Sequence, residues 1–441
     1  MNIINIYDNY FNHDLKKNLK ACSEVAFKYS YKIYLIGGIV RDMLLNQKSL
    51  DIDITVEGDA VEFAHILEKE VNAKISSIHK NFGIAKVEIN GYKIDLASTR
   101  SESYPKAGHL PIVEKIGCSL KEDVLRRDFT INSLACSLNQ DSFADLIDYV
   151  GGFDDLKAKK IKILHDKSFV DDPTRIIRAL KYSTRLGFEL DKKTLKLQEK
   201  YLENINYDMC YKRVKQEIKK TFEQNSQKAF EKFIEQGIYK LITPHPIFLT
   251  LVPRVEKSPL PQGARVNRLG LLTQQHEVDN ERLDRSQNKF GITPGHNIEN
   301  LIKKYKPKHP WLVYFGILLI NENSDKFELT KMERETIEST KNLINKTFSD
   351  DFEIYKTFKP QKLETLLILA VLSNEKVVSH YLDDLKKIKL HINGNDLINL
   401  GFVPSKKFSE GFDYVLKKKL EKQTMKKAEE LELIREFFQE V

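Results

Sequence analysis

Asp51 and Asp53 stand one residue apart in Asp51-Ile52-Asp53-Ile54-Thr55-Val56, a run that reads as a β-strand. Residues two apart on a strand project from one face, so the two carboxylates form a cation site. Upstream, Gly37-Gly38 makes a turn whose bare backbone N–H groups can approach a phosphate. Paired carboxylates beside a phosphate-accepting turn are the apparatus of phosphoryl or nucleotidyl transfer, with Mg²⁺ on Asp51 and Asp53 and a triphosphate at the turn. Either feature alone is common on solvated surfaces. Their ordered combination carries the reading.

Two further clusters fit that chemistry. In Arg126-Arg127-Asp128-Phe129-Thr130-Ile131-Asn132-Ser133-Leu134 the two arginines offer forked donors for phosphate oxygens. Asp128 can orient an arginine and Asn132 can bond a ribose hydroxyl, while Phe129, Ile131 and Leu134 pack inward. In Asp171-Asp172-Pro173-Thr174-Arg175-Ile176-Ile177-Arg178, Asp171 or Asp172 caps a helix that Pro173 opens. Asp172, Arg175 and Arg178 recur every three residues and are expected to share a helix face. That face is either a salt-bridged surface or an acceptor–donor pair matching a nucleobase edge.

The elements that must position these groups follow from the pattern. Strands are expected at 32–36, 51–56, 82–89 and 92–97, with Asn90-Gly91 a hairpin turn. Helices are expected from Val40 onward, over 61–71 and over 120–138. Pro105, Gly108 and Pro111 are read as precluding regular structure between Arg100 and Lys121. From about Asp154 strand signals fade and Lys/Glu-rich helical periodicity takes over. An irregular, Arg-rich insert with little periodicity spans 253–295 and is assigned no function.

At 441 residues several domains are expected. The net charge of +8, from 71 basic and 63 acidic residues, is compatible with a polyanionic partner without requiring one. Cys22, Cys118, Cys136 and Cys210 are widely spaced, make no zinc motif and read as free thiols of a reducing compartment. No long apolar segment or signal sequence is visible, so no membrane contact and a cytoplasmic location are expected.

The order strand, Gly-Gly, helix, strand, DxD resembles the nucleotidyltransferase superfamily that includes DNA polymerase β. More narrowly the chain resembles class II tRNA nucleotidyltransferases and bacterial poly(A) polymerases. Its second motif is RRDF[TS]INA, from which only Ser133 departs. Asp148-Tyr149-Val150-Gly151-Gly152-Phe153-Asp154-Asp155-Leu156 is similar to the D…GG..DL turn linking head to neck, a structural motif. Asp172 and Arg175 match the base-selecting EDxxR motif, whose leading Glu is replaced by Asp171. Arg185, Gly187 and Phe188 continue the pattern. The match runs from Tyr34 to Phe188 and again over roughly the last fifty residues, where Lys406, Lys407, Lys417, Lys418, Lys419, Lys422, Lys426 and Lys427 suit tRNA phosphates.

The resemblance implies an α+β fold: a polymerase β-like head of mixed sheet and helices, then an all-helical neck, body and tail. The expected spans are 1–150 for the head, 151–220 for the neck, 221–345 for the body and 346–441 for the tail. It implies addition of CCA, or its terminal A, to tRNA 3′ ends from CTP and ATP. The tRNA hydroxyl attacks the α-phosphate, with two Mg²⁺ ions on Asp51 and Asp53. Gly37, Gly38, Arg41, Arg126 and Arg127 would hold the triphosphate, with Asp128 and Asn132 beside them. Asp172 and Arg175 would read the base, with Arg178 on the same face. Asp95 is either a third catalytic carboxylate, as superfamily members often have on a neighbouring strand, or an edge-strand charge. The 101–120 segment occupies the place of a loop that the family needs to add the terminal A; its length favours a full or A-adding enzyme. The alternatives are an A-only or CC-only enzyme, a poly(A) polymerase lacking its usual long basic extension, or an inactive RNA-binding module. Leu164-His165-Asp166 lacks the companion residues of a metal phosphohydrolase.

Overall fold

The computed structural model describes residues 1–48, 51–224, 226–243, 294–422 and 424–440. They form two compact units. One comprises the described residues up to Thr243 together with Asp325–Glu328, the other the remaining described residues.

The first unit is built on nine strands: β1 (Lys32–Ile36), β2 (Ile52–Glu57), β3 (Lys74–His79), β4 (Ile84–Ile89), β5 (Tyr92–Ser98), β6 (Arg100–Ser103), β7 (Ile112–Ile116), β8 (Ala135–Ser137) and β9 (Leu146–Ile147). Seven of them make a mixed sheet in the order β3-β4-β5-β2-β1-β8-β9, in which only the β2–β5 pair is parallel. Strand β1 is a near-continuous apolar run, whereas β2 and β5 alternate, burying one face and turning Asp53 and Asp95 to the other. Ile33, Leu35, Ile54, Val56, Ile94 and Leu96 are all buried. Helices His13–Lys28 and Ala60–Val71 pack on this sheet, the latter opened by the Asp59 side chain accepting from Val61 N at 2.8 Å.

Two expectations are corrected. The stretch 120–138 is not one helix. The helix Leu120–Leu125, opened by a Ser119/Glu122 capping box, stops before the arginines, and Phe129 is extended. Ala135–Ser137 then joins the sheet against β1, where burial in a strand outweighs helical periodicity. Nor is 100–121 irregular throughout: β6 and β7 pair antiparallel as a hairpin, and Pro105, Gly108 and Pro111 lie in the loop between them. Strand β3, which lacks an apolar alternation, was not expected.

Beyond the head the first unit continues as helices, including Thr174–Leu186, Lys192–Glu203 and Tyr211–Gln224. A parallel pairing of Lys160–Ile161 with Glu189–Leu190 interrupts them. At the junction the Asp148 carboxylate accepts from the N–H groups of Val150, Gly152 and Phe153. Gly151 has φ 76°, and a Cβ on Gly152 would lie 2.2 Å from the Thr130 carbonyl oxygen. Both glycines are therefore required by the backbone, as expected.

The second unit is helical throughout its described residues. Helix Pro310–Leu319 is apolar all round and buried. The C-terminal helices Lys406–Lys422 and Lys427–Glu440 close over Leu397, Phe408, Val415, Met425 and Ile434. Among the tail lysines, Lys406, Lys407, Lys417, Lys422, Lys426 and Lys427 are exposed, Lys417 paired with Asp350 and Lys427 with Asp396. Lys419 is not available to a phosphate: it is buried, with Nζ 2.5 Å from Glu430 Oε1. The insert expected at 253–295 lies outside the described residues, save that Pro294 and Gly295 begin helix Pro294–Tyr305. Among the described residues no helix is long and apolar enough to cross a membrane, and all four cysteines are free.

Candidate active site

A cavity of about 830 Å³ in the first unit is lined by all thirteen residues singled out above: Gly37, Gly38, Arg41, Asp51, Asp53, Asp95, Arg126, Arg127, Asp128, Asn132, Asp172, Arg175 and Arg178. Sequence distance does not separate them: the sheet carries Asp53 and Asp95, and the glycine turn, the segment after Leu125 and the start of helix Thr174–Leu186 bring the rest to the same cavity.

On the acidic wall, the parallel register of β2 and β5 sets Asp53 directly beside Asp95, with Asp51 just before β2. Asp95 Oδ2 bonds Lys86 Nζ across the β4–β5 pair. The Asp53 carboxyl is pushed up to about 6, first by burial, then by the neighbouring Asp95, with Arg127 partly opposing and Asp51 adding to the rise. Carboxylates that repel one another across a partly buried cavity fit a divalent cation. Among the described residues no group of three or more acidic, histidine or cysteine side chains forms a complete metal cage.

Facing this wall is the glycine turn. Gly37 adopts φ 75°, ψ −124°, and helix Gly38–Leu44 starts from it. A Cβ at Gly37 would stand 3.2 Å from Arg127 Nη1, so the turn stays bare and the guanidinium lies against it. Arg126 and Arg127 are both gripped by the fully buried Asp123. Its Oδ1 takes Arg126 Nη2 at 2.6 Å and its Oδ2 takes Arg127 Nη2 at 2.9 Å. Burial raises the Asp123 pKa, but the two arginines outweigh it and hold it low. Arg126 also bonds Glu102 at 3.2 Å. Asp123 was missed, although its spacing of three and four residues from the arginines on a helix was the available signal.

Behind the turn runs a charged chain. Arg185 Nη2 bonds Asp42 Oδ2 at 2.7 Å, Asp42 Oδ1 takes Arg41 Nε at 2.8 Å, and Arg41 Nη1 bonds Asn132 Oδ1 at 2.5 Å. Asn132 Nδ2 donates to Asp128 Oδ1 at 3.1 Å, and Asp128 Oδ2 takes Arg178 at 2.6 Å. Arg41 is almost wholly buried, 5.0 Å from the Tyr182 ring centroid. Burial raises the Asp128 pKa, but Arg178 and the Asn132 bond bring it down to about 2. Arg41, Asp128, Asn132 and Arg178 thus line the cavity while spending their polar atoms on one another; they brace the site.

The common face expected for Asp172, Arg175 and Arg178 does not form. Asp172 precedes the helix in extended backbone, φ −141°, ψ 92°, and caps it, accepting at Oδ1 from Thr174 N at 3.1 Å and Thr174 Oγ1 at 2.6 Å. Its Oδ2 takes Arg213 Nη2 at 2.5 Å. Arg175 is buried, donating from Nη1 to Ser168 Oγ at 2.7 Å and from Nη2 to the Arg126 carbonyl at 3.0 Å and Tyr104 hydroxyl at 3.3 Å. Arg213, on helix Tyr211–Gln224, was missed because nothing local marks it.

Residues 33–162 match the model of the poly(A) polymerase head domain family. The A-adding tRNA nucleotidyltransferase of Geobacter sulfurreducens is 45% identical over 177 residues, covering 40% of this chain and 20% of that relative. The chain thus spans about a fifth of that relative's length. The A-adding tRNA nucleotidyltransferase of Halalkalibacterium halodurans is 28% identical over 99% of this chain and 96% of its own. A solved CCA-adding enzyme, apo form II, superposes with a TM-score of 0.75 at 25% identity, covering 98% of both chains.

Proposed function

We propose that the chain is a class II tRNA nucleotidyltransferase of the family that includes the bacterial poly(A) polymerases, a reading supported by the head-domain match and the similar relatives, and that it transfers nucleotides from CTP and ATP to tRNA 3′ ends without a template. The observation that carries this reading is one cavity with Asp51, Asp53 and Asp95 on one wall and the bare Gly37 turn with Arg127 on the other. Mg²⁺ held by Asp51 and Asp53 would supply charge neutralisation on the reacting phosphates and a more acidic attacking hydroxyl. The rest falls to the chain. Gly37, Gly38 and Arg127 bind the triphosphate, and Arg126, locked by Asp123, completes the cationic side. Pyrophosphate leaves toward these guanidiniums as the 3′-oxygen bonds the α-phosphorus. Asp172 and its guanidinium partners face the base. Residues 1–150 act as catalytic head and 151–220 as neck; in the second unit the exposed lysines of 346–441 meet tRNA phosphates.

Addition of the terminal A alone is a second reading, favoured by the near full-length match to an A-adding relative. Three tRNA transcripts, ending before CCA, after C and after CC, are offered with CTP or ATP. Incorporation on all three means full CCA addition; ATP incorporation on the CC transcript alone means A addition; none on any transcript refutes the reading.

A further inference from the structure

In-line displacement puts the attacking hydroxyl opposite the leaving pyrophosphate. The sheet order sets those two directions on opposite sides of Asp53. Strand β1, which leads into the Gly37 turn, flanks β2 on one side, and β5 and then β4 lie on the other. On that second side the cavity wall changes character. Asp95 pairs with Lys86, and the next residues on the same face, Ala97 and Ile84, pair with each other. Ile84, Ala97 and Phe82 line the cavity and are half-buried. An apolar shelf thus begins one step from the carboxylates, in a cavity whose lining is mostly charged.

Arg100 stands beside this shelf. Its guanidinium carbon lies 5.6 Å from the Phe82 ring centroid, its Nη1 donates to the Phe82 carbonyl at 2.8 Å and its Nε to Glu102 Oε1 at 2.7 Å. Glu102 shares that oxygen with Arg126 Nη1 at 3.2 Å, and Arg126 Nε donates to the Arg100 carbonyl at 3.0 Å. The guanidinium is therefore fixed, yet not used up. Arg100 lines the cavity with 14% of its side chain exposed, and its Nη2 makes no hydrogen bond among the described residues.

Resting on the nucleotidyl-transfer reading above, we infer that this side of the cavity is the acceptor subsite. The 3′-terminal nucleoside of the RNA lies on Phe82, Ile84 and Ala97, and Arg100 binds the phosphate on its 5′ side. A single-stranded RNA end offers a flat base face and a negative charge per nucleotide, and an apolar platform beside a guanidinium answers both. The side chains of the shelf carry no hydrogen-bonding group, so they hold the terminal base by its face without reading its edge. Glu102, shared by the two guanidiniums, is a positioning residue for Arg100.

The test alters the acceptor first. A tRNA transcript that wild type extends is compared with one ending in an abasic ribose and one whose last phosphodiester is a neutral methylphosphonate, in kcat/KM for RNA at saturating nucleotide. Wild type is expected to lose roughly ten- to a hundredfold on either. Full-length Ile84→Ser shrinks the abasic penalty and keeps the methylphosphonate penalty. Arg100→Met does the converse, and Glu102→Gln follows Arg100→Met to a smaller degree. All three raise KM for RNA and leave KM for the nucleotide unchanged. Wild type extending either altered acceptor as well as the natural one overturns the inference without any variant. So do variants that keep both penalties, or that raise KM for the nucleotide alone. Failure of wild type to extend any unmodified transcript instead refutes the function on which the inference rests.

Discussion

At the scale of residues, Asp53 is a carboxylate crowded by two others, and its stability consequence has a definite sign. Its folded-state pKa of about 6 lies above the ordinary value of 3.8, so the metal-free folded protein holds this proton more tightly than the unfolded chain. The favourable contribution is complete below about pH 4 and is lost as pH rises through about 6. Asp53→Asn in the presence of a chelator is therefore expected to be more stable than wild type above pH 6, by on the order of 1–3 kcal/mol. The two proteins converge below pH 4. Melting temperatures across that range check it, and parallel curves would show that the carboxylates do not repel. Mg²⁺ should close the gap by stabilising wild type alone. Asp51, Asp53, Gly37 and the paired arginines were legible as residues of one cavity because the motifs that mark them are local. Arg213 was not, since it meets Asp172 only through packing of two helices. Arg41 and Asn132 were legible as lining residues, but that their polar atoms face each other is a fact of packing.

At the scale of elements, one ion pair joins the strand-flanking segment after Leu125 to the neck helix Thr174–Leu186. The Asp128 carboxyl, near pKa 2, contributes stability that is present above about pH 4 and lost as pH falls toward 2. Arg178→Ala strips the partner from a buried carboxylate and is expected to cost about 3–5 kcal/mol. It should also move acid unfolding to higher pH, which circular dichroism against pH would follow; an unchanged acid midpoint contradicts the bracing role. The loop between β6 and β7 is held differently. Gly108 N–H donates to the Asp171 carbonyl at 3.0 Å and its carbonyl accepts from Cys210 N–H at 3.0 Å, while Lys106 and His109 bond Asp208. Gly108 has φ 80°, and a Cβ there would meet Met209 Cβ at 3.0 Å. Gly108→Ala should undock the loop and slow ATP addition to a CC-ending tRNA by roughly tenfold or more while leaving the melting temperature within a few degrees. An unaltered rate would detach the loop from catalysis. The hairpin itself was hidden in the sequence by the prolines of its own loop. The helix expected over 120–138 was misread because apolar residues serving a strand and an inward-facing turn mimic a helical period.

At the scale of the whole molecule, the division into a mixed α/β head and a helical remainder was plain from where strand patterns fade, and the acidic residues and glycine turn of the cavity belong to the head. The helical second unit was legible only as helix: Lys- and Glu-rich periodicity marks faces, not partners, and Lys419 shows how a lysine in a basic run can belong to the core. The account joins these scales in one claim, that the acidic wall and the glycine–arginine wall of a single cavity perform nucleotidyl transfer to tRNA. The most direct measurement is transfer of label from α-labelled ATP to a tRNA ending in CC, with Mg²⁺, by wild type and by Asp51→Asn and Asp53→Asn, each verified as folded. Label should appear on the wild-type product with one pyrophosphate released per nucleotide, and fall by at least a thousandfold in both variants. Labelling by either variant within a few-fold of wild type would contradict the claim.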